Sequence, residues 1–420
     1  MWELIQSNKR KTMILFFAMG VALVLLGYFI GSYFYPGGGG IFGIVFALLI
    51  WFILSLISYT AGGSILLSVS NAQEVTPGVH QQLFNIVEEM QLAANLPKTP
   101  KVYIINDAAP NAFATGIKPE NSAITVTAGL LSKLNRDELQ GVIAHEMSHI
   151  ANRDILVMTF AGIMLGSIVL ISEIFLKGLW FTGGSSVRYR SRSSDSGQGQ
   201  IVIMVVAIIF AILAPIAAQL LYFAISRRRE YLADANGARL TRYPEGLASA
   251  LEKISSTDLD LKSANKVTAP MFIINPLKKK GMKLSDLTST HPPTSERIKI
   301  LRSMAGGVNY VNYQNAFNLV KGKSSVLLPA SALADNTKID VRKPESDIES
   351  HDNVKEKRNL GDLMMSVNKY AFIVCACGLK MKVPPDYKEK SITCPRCGRI
   401  NEVPFGDIAA ISGAVQGVKI

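Results

Sequence analysis

Two histidines and a glutamate lie at a spacing that suits metal chemistry. His145 and His149 are four positions apart, so on a helix they face the same side and can present two imidazoles to one metal ion. Glu146 can reach a water on the metal, as a general base that then passes the proton to the leaving amine. Two ordinary helix histidines are the alternative, but chance rarely produces this pattern in a chain with 5 histidines. The pattern predicts a catalytic zinc that hydrolyses peptide bonds.

A catalytic zinc takes three protein ligands and leaves one position open, so a third ligand is needed. Glu230 and Asp234 stand four positions apart, directly after an apolar run. On a helix, one of them can bind the metal while the other orients a ligand histidine. Acids at this spacing are more often solvated helix surface, so the pair alone does not decide between these interpretations.

The elements around the histidines can be predicted from local signals. Asn135 with Glu138 three residues later has the form of a capping box, and it predicts a helix that ends near Asn152. Apolar residues recur at helical spacing between Val79 and Met90, which predicts an amphipathic helix. The β-branched runs Val102–Ile105 and Ala123–Thr127 predict strands. The metal motif is therefore expected in an α+β domain.

Composition places this domain in a membrane protein. Only 18% of the 420 residues are charged, against about 25% in ordinary soluble domains, and 49% are apolar, which excludes intrinsic disorder. The apolar excess is concentrated in four runs, Met13–Phe34, Ile41–Ser70, Ile155–Ser172 and Ile201–Ser226. The first two are long enough to span a bilayer and predict a hairpin; a cleaved signal peptide is the alternative for the first run. The last two predict a second membrane hairpin.

The positive-inside rule gives an expected orientation. Lys9, Arg10 and Lys11 precede the first run, which places the N-terminus in the cytoplasm. Because His149 and Glu230 must meet at one ion, the chain between them crosses the membrane twice or not at all. We therefore expect a multi-pass protein of the cell membrane with its active site facing the cytoplasm. Basic residues in the loop near residue 190 do not fit the rule.

The four cysteines all lie near the end of the chain. Cys375 and Cys377 form one pair, Cys394 and Cys397 form another, and each pair is followed by a glycine in a repeat offset by 20 residues. Four thiolates can close a tetrahedral structural zinc site, which predicts a zinc ribbon. Two disulfides are the alternative, and a reducing cytoplasm disfavours them. The ribbon's partner is unknown, and no nucleic acid is expected, because the net charge of +12 (44 − 32) is better explained by lipid headgroups.

Taken in order, these motifs resemble the HtpX-type membrane metalloproteases, relatives of the Ste-type proteases that cut prenylated CAAX proteins. The resemblance spans about residues 1–305 and includes His291-Pro292-Pro293-Thr294-x-x-Arg297. It implies a zinc endopeptidase in which Glu146 is the base and Asp234 lies behind the zinc ligands, which are His145, His149 and Glu230.

The same resemblance assigns two further groups of residues. It places His291 and Arg297 near the substrate carbonyl, where they would stabilise the developing oxyanion. A turn histidine and a solvated arginine are the respective alternatives. It also implies a short strand that an extended peptide can join, formed by Asn111, Ala112, Phe113 and Ala114.

The predicted fold class is a mainly α membrane protein with four hydrophobic helices, a zincin-like α+β catalytic domain and a small C-terminal zinc ribbon. Its expected parts are a membrane hairpin over 1–72 and a protease domain over 73–305 with a second hairpin at 155–226. A charged linker over 306–368 and a ribbon over 369–410 are expected to follow. Polypeptide substrates, including misfolded or membrane proteins, and the lipid bilayer are the expected partners. The alternatives are an intramembrane protease and a non-catalytic membrane adaptor that uses the ribbon for docking.

Overall fold

A computed structural model describes most of the chain. The described residues are 2–35, 37–182, 197–264, 268–276, 291–304, 307–322, 326–328, 330–334, 337, 339–345 and 353–403. The chain begins with two long helices, α1 (Trp2–Phe34) and α2 (Gly39–Val69). Each contains a segment that is long and apolar enough to cross a membrane. This segment is Met13–Phe34 in α1 and Gly39–Val69 in α2.

Glycines hold the hairpin of α1 and α2 together. A Cβ placed on Gly31 would lie 2.2 Å from the carbonyl oxygen of Gly39, and one on Gly43 would lie 2.0 Å from that of Gly27. The backbones of the two helices therefore approach more closely than any side chain would allow. Such close contacts of small residues are a common way to pack helices in a membrane.

A four-stranded sheet follows, with strands β1 (Ala72–Glu74), β2 (Lys101–Ile105), β3 (Ala112–Gly116) and β4 (Ser122–Thr127). The strand order is β1-β2-β4-β3, in which β2 and β4 are parallel and the other pairs are antiparallel. The two strands predicted from β-branched runs are confirmed as β2 and β4. Strand β3 lies at the edge of the sheet.

Three helices pack with the sheet, namely α3 (Gln81–Ala93), α4 (Ala128–Lys133) and α5 (Arg136–Ala151). The predicted amphipathic helix is confirmed as α3, whose first turn is capped by the ring of His80. Asn135 and Glu138 form the predicted capping box of α5. The helices and the sheet share one apolar core, so the sheet supports α5 from one side.

Two more long helices follow, α6 (Asp154–Thr182) and α7 (Gly197–Thr241). In α6, Asp154–Leu179 is a third segment long enough to span a membrane. The apolar part of α7, Val202–Ala218, is shorter, so a fourth crossing stays a prediction. The basic residues of the loop near residue 190 lie outside the described part of the chain.

Helix α7 is continuous from its apolar part to its end. It carries Glu230 and Asp234 on the same rod as the fourth apolar run, with Pro215 inside the helix. Helices α8 (Pro244–Ser255) and α9 (Thr294–Arg302) then complete the layer around α5 and α7.

The segment from 306 to 368 differs from the charged linker expected from the sequence. Its described residues include the helices α10 (Tyr310–Lys321), α11 (Ala330–Leu333) and α12 (Asn353–Val367). All three contribute to the main core, to which Tyr313 and Val367 add buried side chains. The segment is held on the catalytic domain because apolar side chains of these helices are buried in the main core.

The cysteines lie in two small hairpins after α12. The first pairs β5 (Ala371–Val374) with β6 (Lys380–Val383), and the second pairs β7 (Ser391–Thr393) with β8 (Ile400–Glu402). The glycine after each cysteine pair has a positive φ, +82° at Gly378 and +72° at Gly398, as a tight cysteine turn requires. Residues after 403, and with them the predicted end of the ribbon at 410, lie outside the described part.

Candidate metal centre and its surroundings

Helix α5 places the two histidines and the glutamate in the interior of the protein. Asn135 accepts from the backbone N–H of Glu138, and the Glu138 carboxylate accepts from that of Asn135, so the first turn of the helix is fixed. Two turns further on, His145, Glu146 and His149 are all buried. Apolar neighbours on both sides of these residues pack into the core, which holds the three side chains on one face.

Helix α7 brings a third ligand to the two imidazoles. The Nε2 atoms of His145 and His149 are 3.2 Å apart. The carboxylate oxygens of Glu230 lie 3.6 Å from Nε2 of His145 and 3.5 Å from Nε2 of His149. One ligand atom from each residue lies within 4.8 Å of the others, so these side chains can hold one metal ion.

Buried carboxylate oxygens with few hydrogen-bond partners indicate which ion this group of atoms fits. Within the described residues, the oxygens of Glu146 and Oε2 of Glu230 are buried and lack a side-chain hydrogen bond. Nη1 of Arg297 lies 3.5 Å from Glu230 Oε2, and the Ala114 backbone faces Glu146. A buried carboxylate without a partner is costly, unless a cation or water meets it. Two imidazoles and one carboxylate are the donor set of a catalytic zinc with an open position, and the residues present fit such an ion.

Each ligand histidine is held from behind by an aspartate. The Nδ1 atom of His145 lies 3.0 Å from Asp234 Oδ1, and Nδ1 of His149 lies 3.1 Å from Asp154 Oδ2. These carboxylates accept from Nδ1–H and so direct Nε2 toward the shared metal position. Asp234 was predicted in this position as one of two options, whereas the sequence reasoning missed Asp154. The signal in the sequence that could have indicated Asp154 is an acid that directly follows the histidine helix and precedes an apolar run.

Arg297 contacts the acids behind the site. Its Nε donates to Asp234 Oδ2 at 2.8 Å and its Nη2 to Asp234 Oδ1 at 2.7 Å, in a bidentate pair. Its Nη1 donates to the carbonyl of Ile273. Burial opposes the charge of Arg297, but Asp234 outweighs it and raises the guanidinium pKa. The solvated helix arginine, which was the alternative interpretation, is therefore excluded, since Arg297 is fully buried.

His291 lies on the other side of Glu230. Its Nε2 is 3.6 Å from Glu230 Oε2, and the ring is buried. Burial lowers the pKa of His291 to about 4, so the ring is neutral at pH 7. The structure thus brings His291 to the candidate metal centre rather than leaving it in a surface turn.

The electrostatics of the site follow from its burial. Burial raises the pKa of Glu146, and the negative charge of Glu230 adds to this, while His145 and His149 oppose it. Burial alone would lower the pKa of His145, but hydrogen bonds with Asp234 and Glu230 outweigh it and raise the pKa to about 9. A metal ion that binds His145 would have to compete with this proton.

The predicted substrate strand is β3, which lies next to α5. Residues Ala112, Phe113 and Ala114 belong to it, and Asn111 directly precedes it. The edge is partly paired within the chain, because Ile273 N–H donates to the Ala112 carbonyl and Asn111 Nδ2 donates to the Ile274 carbonyl. A peptide that joins β3 along its whole length would have to replace these two bonds.

The four cysteines form a second group of candidate ligands. The Sγ atoms of Cys375 and Cys397 are 3.5 Å apart, and those of Cys377 and Cys394 are 3.6 Å apart. All four are free thiols, and their Sγ atoms lie within 4.8 Å of one another. Zn–S bonds of about 2.3 Å in a tetrahedron give S–S separations of about 3.8 Å, which is close to these distances.

Comparison with known proteins identifies the family. The sequence model of peptidase family M48 matches residues 77–305. A protease HtpX homolog of Dictyoglomus thermophilum is 46% identical over 303 residues, which are 72% of this chain and 94% of the relative. One of Caldanaerobacter subterraneus subsp. tengcongensis is 45% identical over 304 residues, 72% of this chain and 98% of the relative. The crystal structure of Ste24p from S. mikatae is 21% identical with a TM-score of 0.38, and the match covers 72% of this chain and 67% of that one.

The fold and the site define a metalloprotease with membrane helices. The chain belongs to peptidase family M48, and its relatives include the HtpX proteases, as its motifs predicted. Zinc is the metal that this family implies, and the His-His-Glu group in the structure fits it.

Proposed function

We propose that this chain is a membrane-anchored zinc endopeptidase in which Glu146 is the general base. His145, His149 and Glu230 would hold the zinc ion. The observation that supports this most directly is the buried carboxylate of Glu146 beside three convergent ligand atoms. A non-catalytic adaptor would not need a buried carboxylate in that position, because its desolvation is costly.

Proton transfer by Glu146 would run in two steps. When bound, zinc supplies a Lewis acid that polarises the scissile carbonyl and activates a water. Glu146 would accept a proton from the attacking water and would later donate it to the departing amine nitrogen. The raised pKa of Glu146 suits this shuttle, because an acid must also donate the proton that it has accepted.

The residues around the metal ligands would have distinct roles. Asp234 and Asp154 orient the two imidazoles, and Arg297 keeps Asp234 ionised and fixed. His291, neutral and close to Glu230, would donate to the oxyanion that develops on the substrate carbonyl. Arg297 would therefore position Asp234, rather than stabilise the oxyanion as the resemblance implied.

The substrates would be polypeptides, including misfolded or membrane proteins, as in membrane-protein quality control. The protein would be multi-pass with four membrane helices and a cytoplasmic active site. This rests on the three segments that can span a membrane, the fourth apolar segment on α7 and the basic residues before the first span. An intramembrane protease is disfavoured, because α5 belongs to the core that includes the sheet rather than to the apolar helices.

The cysteine group would hold a second, structural zinc. Four free thiols with no open position match a closed site, in which the metal stabilises the two hairpins rather than doing chemistry. On this proposal the domains are the hairpin at 1–72, the protease domain at 73–305 and the ribbon at 369–410. The ribbon would serve as a docking module for a partner.

The test is a Glu146→Gln variant of the full chain. It should keep its zinc and its fold and lose peptide-bond cleavage by a factor of about 10² to 10⁴, because the amide cannot accept the proton. Cleavage of an unfolded protein such as casein, and zinc content by elemental analysis, are the two measurements. Glu88→Gln, an exposed glutamate on α3, is the matched control and should cleave at the wild-type rate. Retained cleavage in Glu146→Gln would contradict the mechanism.

A further inference from the structure

An open cleft of about 380 Å³ lies where α2 meets the catalytic sheet. Helix α2 contributes one wall, and the ends of β2, β3 and β4 with their turns contribute the other. Gly63 and Gly116 bring the two walls together, since a Cβ on Gly63 would lie 3.6 Å from the Gly116 Cα. Gly116 itself has φ +135°, and a Cβ there would lie 2.5 Å from the Asn121 carbonyl oxygen, so the turn between β3 and β4 requires glycine at this position. None of the lining residues belongs to the candidate metal centre.

The rim of the cleft is basic. Lys98, Lys101 and Lys118 line it, against a single acid, Glu120. Lys101 is paired with Glu74, which lies 3.1 Å away. Lys98 and Lys118 are exposed and make no ion pair within the described part of the chain. An anion that enters the cleft would therefore meet two ammonium groups that make no ion pair among the described residues, with Glu120 as the acid of the lining.

The wall formed by α2 is continuous with the exposed apolar surface of the same helix. Phe52, Leu56 and Tyr59 are 64%, 54% and 56% exposed, and they lead at helical spacing to Gly63 in the cleft. From Phe52 to Gly63 the helix rises about 16 Å, roughly the length of an acyl chain. Because this surface lies on a candidate membrane span, its natural neighbour is a lipid tail.

We propose that this cleft is a binding site for an anionic phospholipid of the leaflet next to the catalytic domain. The acyl chains would lie on the face of α2 formed by Phe52, Leu56 and Tyr59. The phosphate and its headgroup would lie at the rim between Lys98 and Lys118. An extended peptide fits this site less well, because the apolar wall runs along the spanning helix and away from the metal centre.

The experiment uses the full chain, purified in a neutral detergent, with phosphatidylglycerol or phosphatidylcholine added. Native mass spectrometry measures how much of each lipid stays bound. The wild type should retain phosphatidylglycerol in preference to phosphatidylcholine. In Lys98→Gln/Lys118→Gln its affinity should fall by about 30-fold, which is about 2 kcal/mol for two lysines near an anionic surface. Lys299→Gln/Lys343→Gln removes two exposed lysines outside the cleft and should bind like the wild type.

Three results would overturn the proposal. Unchanged retention of phosphatidylglycerol in Lys98→Gln/Lys118→Gln would place the lipid elsewhere. Equal retention of the two lipids by the wild type would show that the site does not distinguish an anionic headgroup from a zwitterionic one. Displacement of phosphatidylglycerol by an equal concentration of inorganic phosphate would show a free-anion site instead. Zinc content reports whether each variant is folded, and it is independent of lipid binding.

Discussion

At the scale of single residues, the metal centre depends on two aspartates that do not face the metal position. Asp234 lies behind His145 and Asp154 behind His149, each within hydrogen-bond distance of Nδ1. Asp234 also accepts two hydrogen bonds from the guanidinium group of Arg297. Each fixes the tautomer and the direction of one ring, so the two imidazoles are ordered before a metal arrives.

We predict that Asp154→Asn weakens zinc binding or lowers activity by about 10- to 100-fold, as loss of a carboxylate behind a ligand histidine generally does. The amide can still occupy the space but accepts less strongly from the ring. Zinc affinity by competition with a chelator is the measurement. Asp362→Asn removes a half-buried aspartate on α12 that pairs with Lys380 and Lys382, and this variant should bind the catalytic zinc like the wild type. Wild-type affinity in Asp154→Asn would show that His149 needs no partner.

The sequence predicts the ligands better than the residues behind them. The motif His145-Glu146-x-x-His149 specifies its own geometry, because residues four apart share a helix face. Glu230 and Asp234 are also four apart, so the sequence alone could not decide which one faces the metal. The place of Asp154 behind His149 was not predicted, because it depends on the turn after α5, where Arg153 has φ 63°.

At the scale of secondary structure, the start of α5 is the element most open to test. Asn135 and Glu138 cap it reciprocally, and the Glu138 carboxylate also accepts from Ser249 and Lys253 of α8. The capping box therefore fixes the start of the catalytic helix and also joins it to α8.

We predict that Asn135→Ala lowers the free energy of unfolding by about 1 kcal/mol, since alanine leaves the N–H of Glu138 without its acceptor. Asn135→Ser keeps an acceptor at this position and should restore most of the loss. Chemical denaturation in detergent, followed by circular dichroism, measures both variants. Equal stability of the alanine and serine variants would mean that the cap contributes little.

Elements with a strong local signal were predictable, and those held by distant contacts were not. The capping box of α5 and strands β2 and β4 are confirmed, because their signals lie within a few residues. Helix α10 was not predicted, because dense charges further along the segment suggested a linker. Its Tyr310, Tyr313 and Phe317 are buried only because the catalytic domain provides a surface for them.

At the scale of the whole molecule, the region after residue 305 packs against the catalytic domain and contributes to its core. The relatives align over 94% to 98% of their own length, yet the match covers 72% of this chain. Within the additional region, Tyr310 donates to Asn236 of α7, and Asn236 donates to Asn152 at the end of α5. Tyr313 is fully buried, and the charges of Asp234 and Arg297 act on it.

We therefore predict that a chain ending after residue 305 fails to hold the catalytic zinc, although relatives of about that length exist. A chain ending after residue 368 keeps α10 and α12, and it should retain zinc and cleave casein. Zinc content and activity of the two truncations decide the matter. A fully active chain of 305 residues would show that the additional helices only cover the domain.

The metal count gives another prediction at this scale. The full chain should bind two zinc ions, and replacing all four cysteines with serine should leave one. Glu230→Ala should lose the other ion and keep the ribbon's zinc, because one ligand of three is removed. Elemental analysis of the three proteins measures this. One ion in the wild type and none in the cysteine variant would mean that the His-His-Glu group does not hold zinc.

Helix α7 connects its apolar part to the metal centre as one continuous helix. From Ala218, at the end of its apolar part, to Glu230 the rod rises about 18 Å, so a tilt of about 5° would displace the Glu230 carboxylate by about 1.5 Å. Zinc–ligand bonds tolerate about 0.2 Å. On the proposed topology with four membrane helices, bilayer thickness would therefore affect the ligand geometry, and a bound ion would hold the helix at one angle.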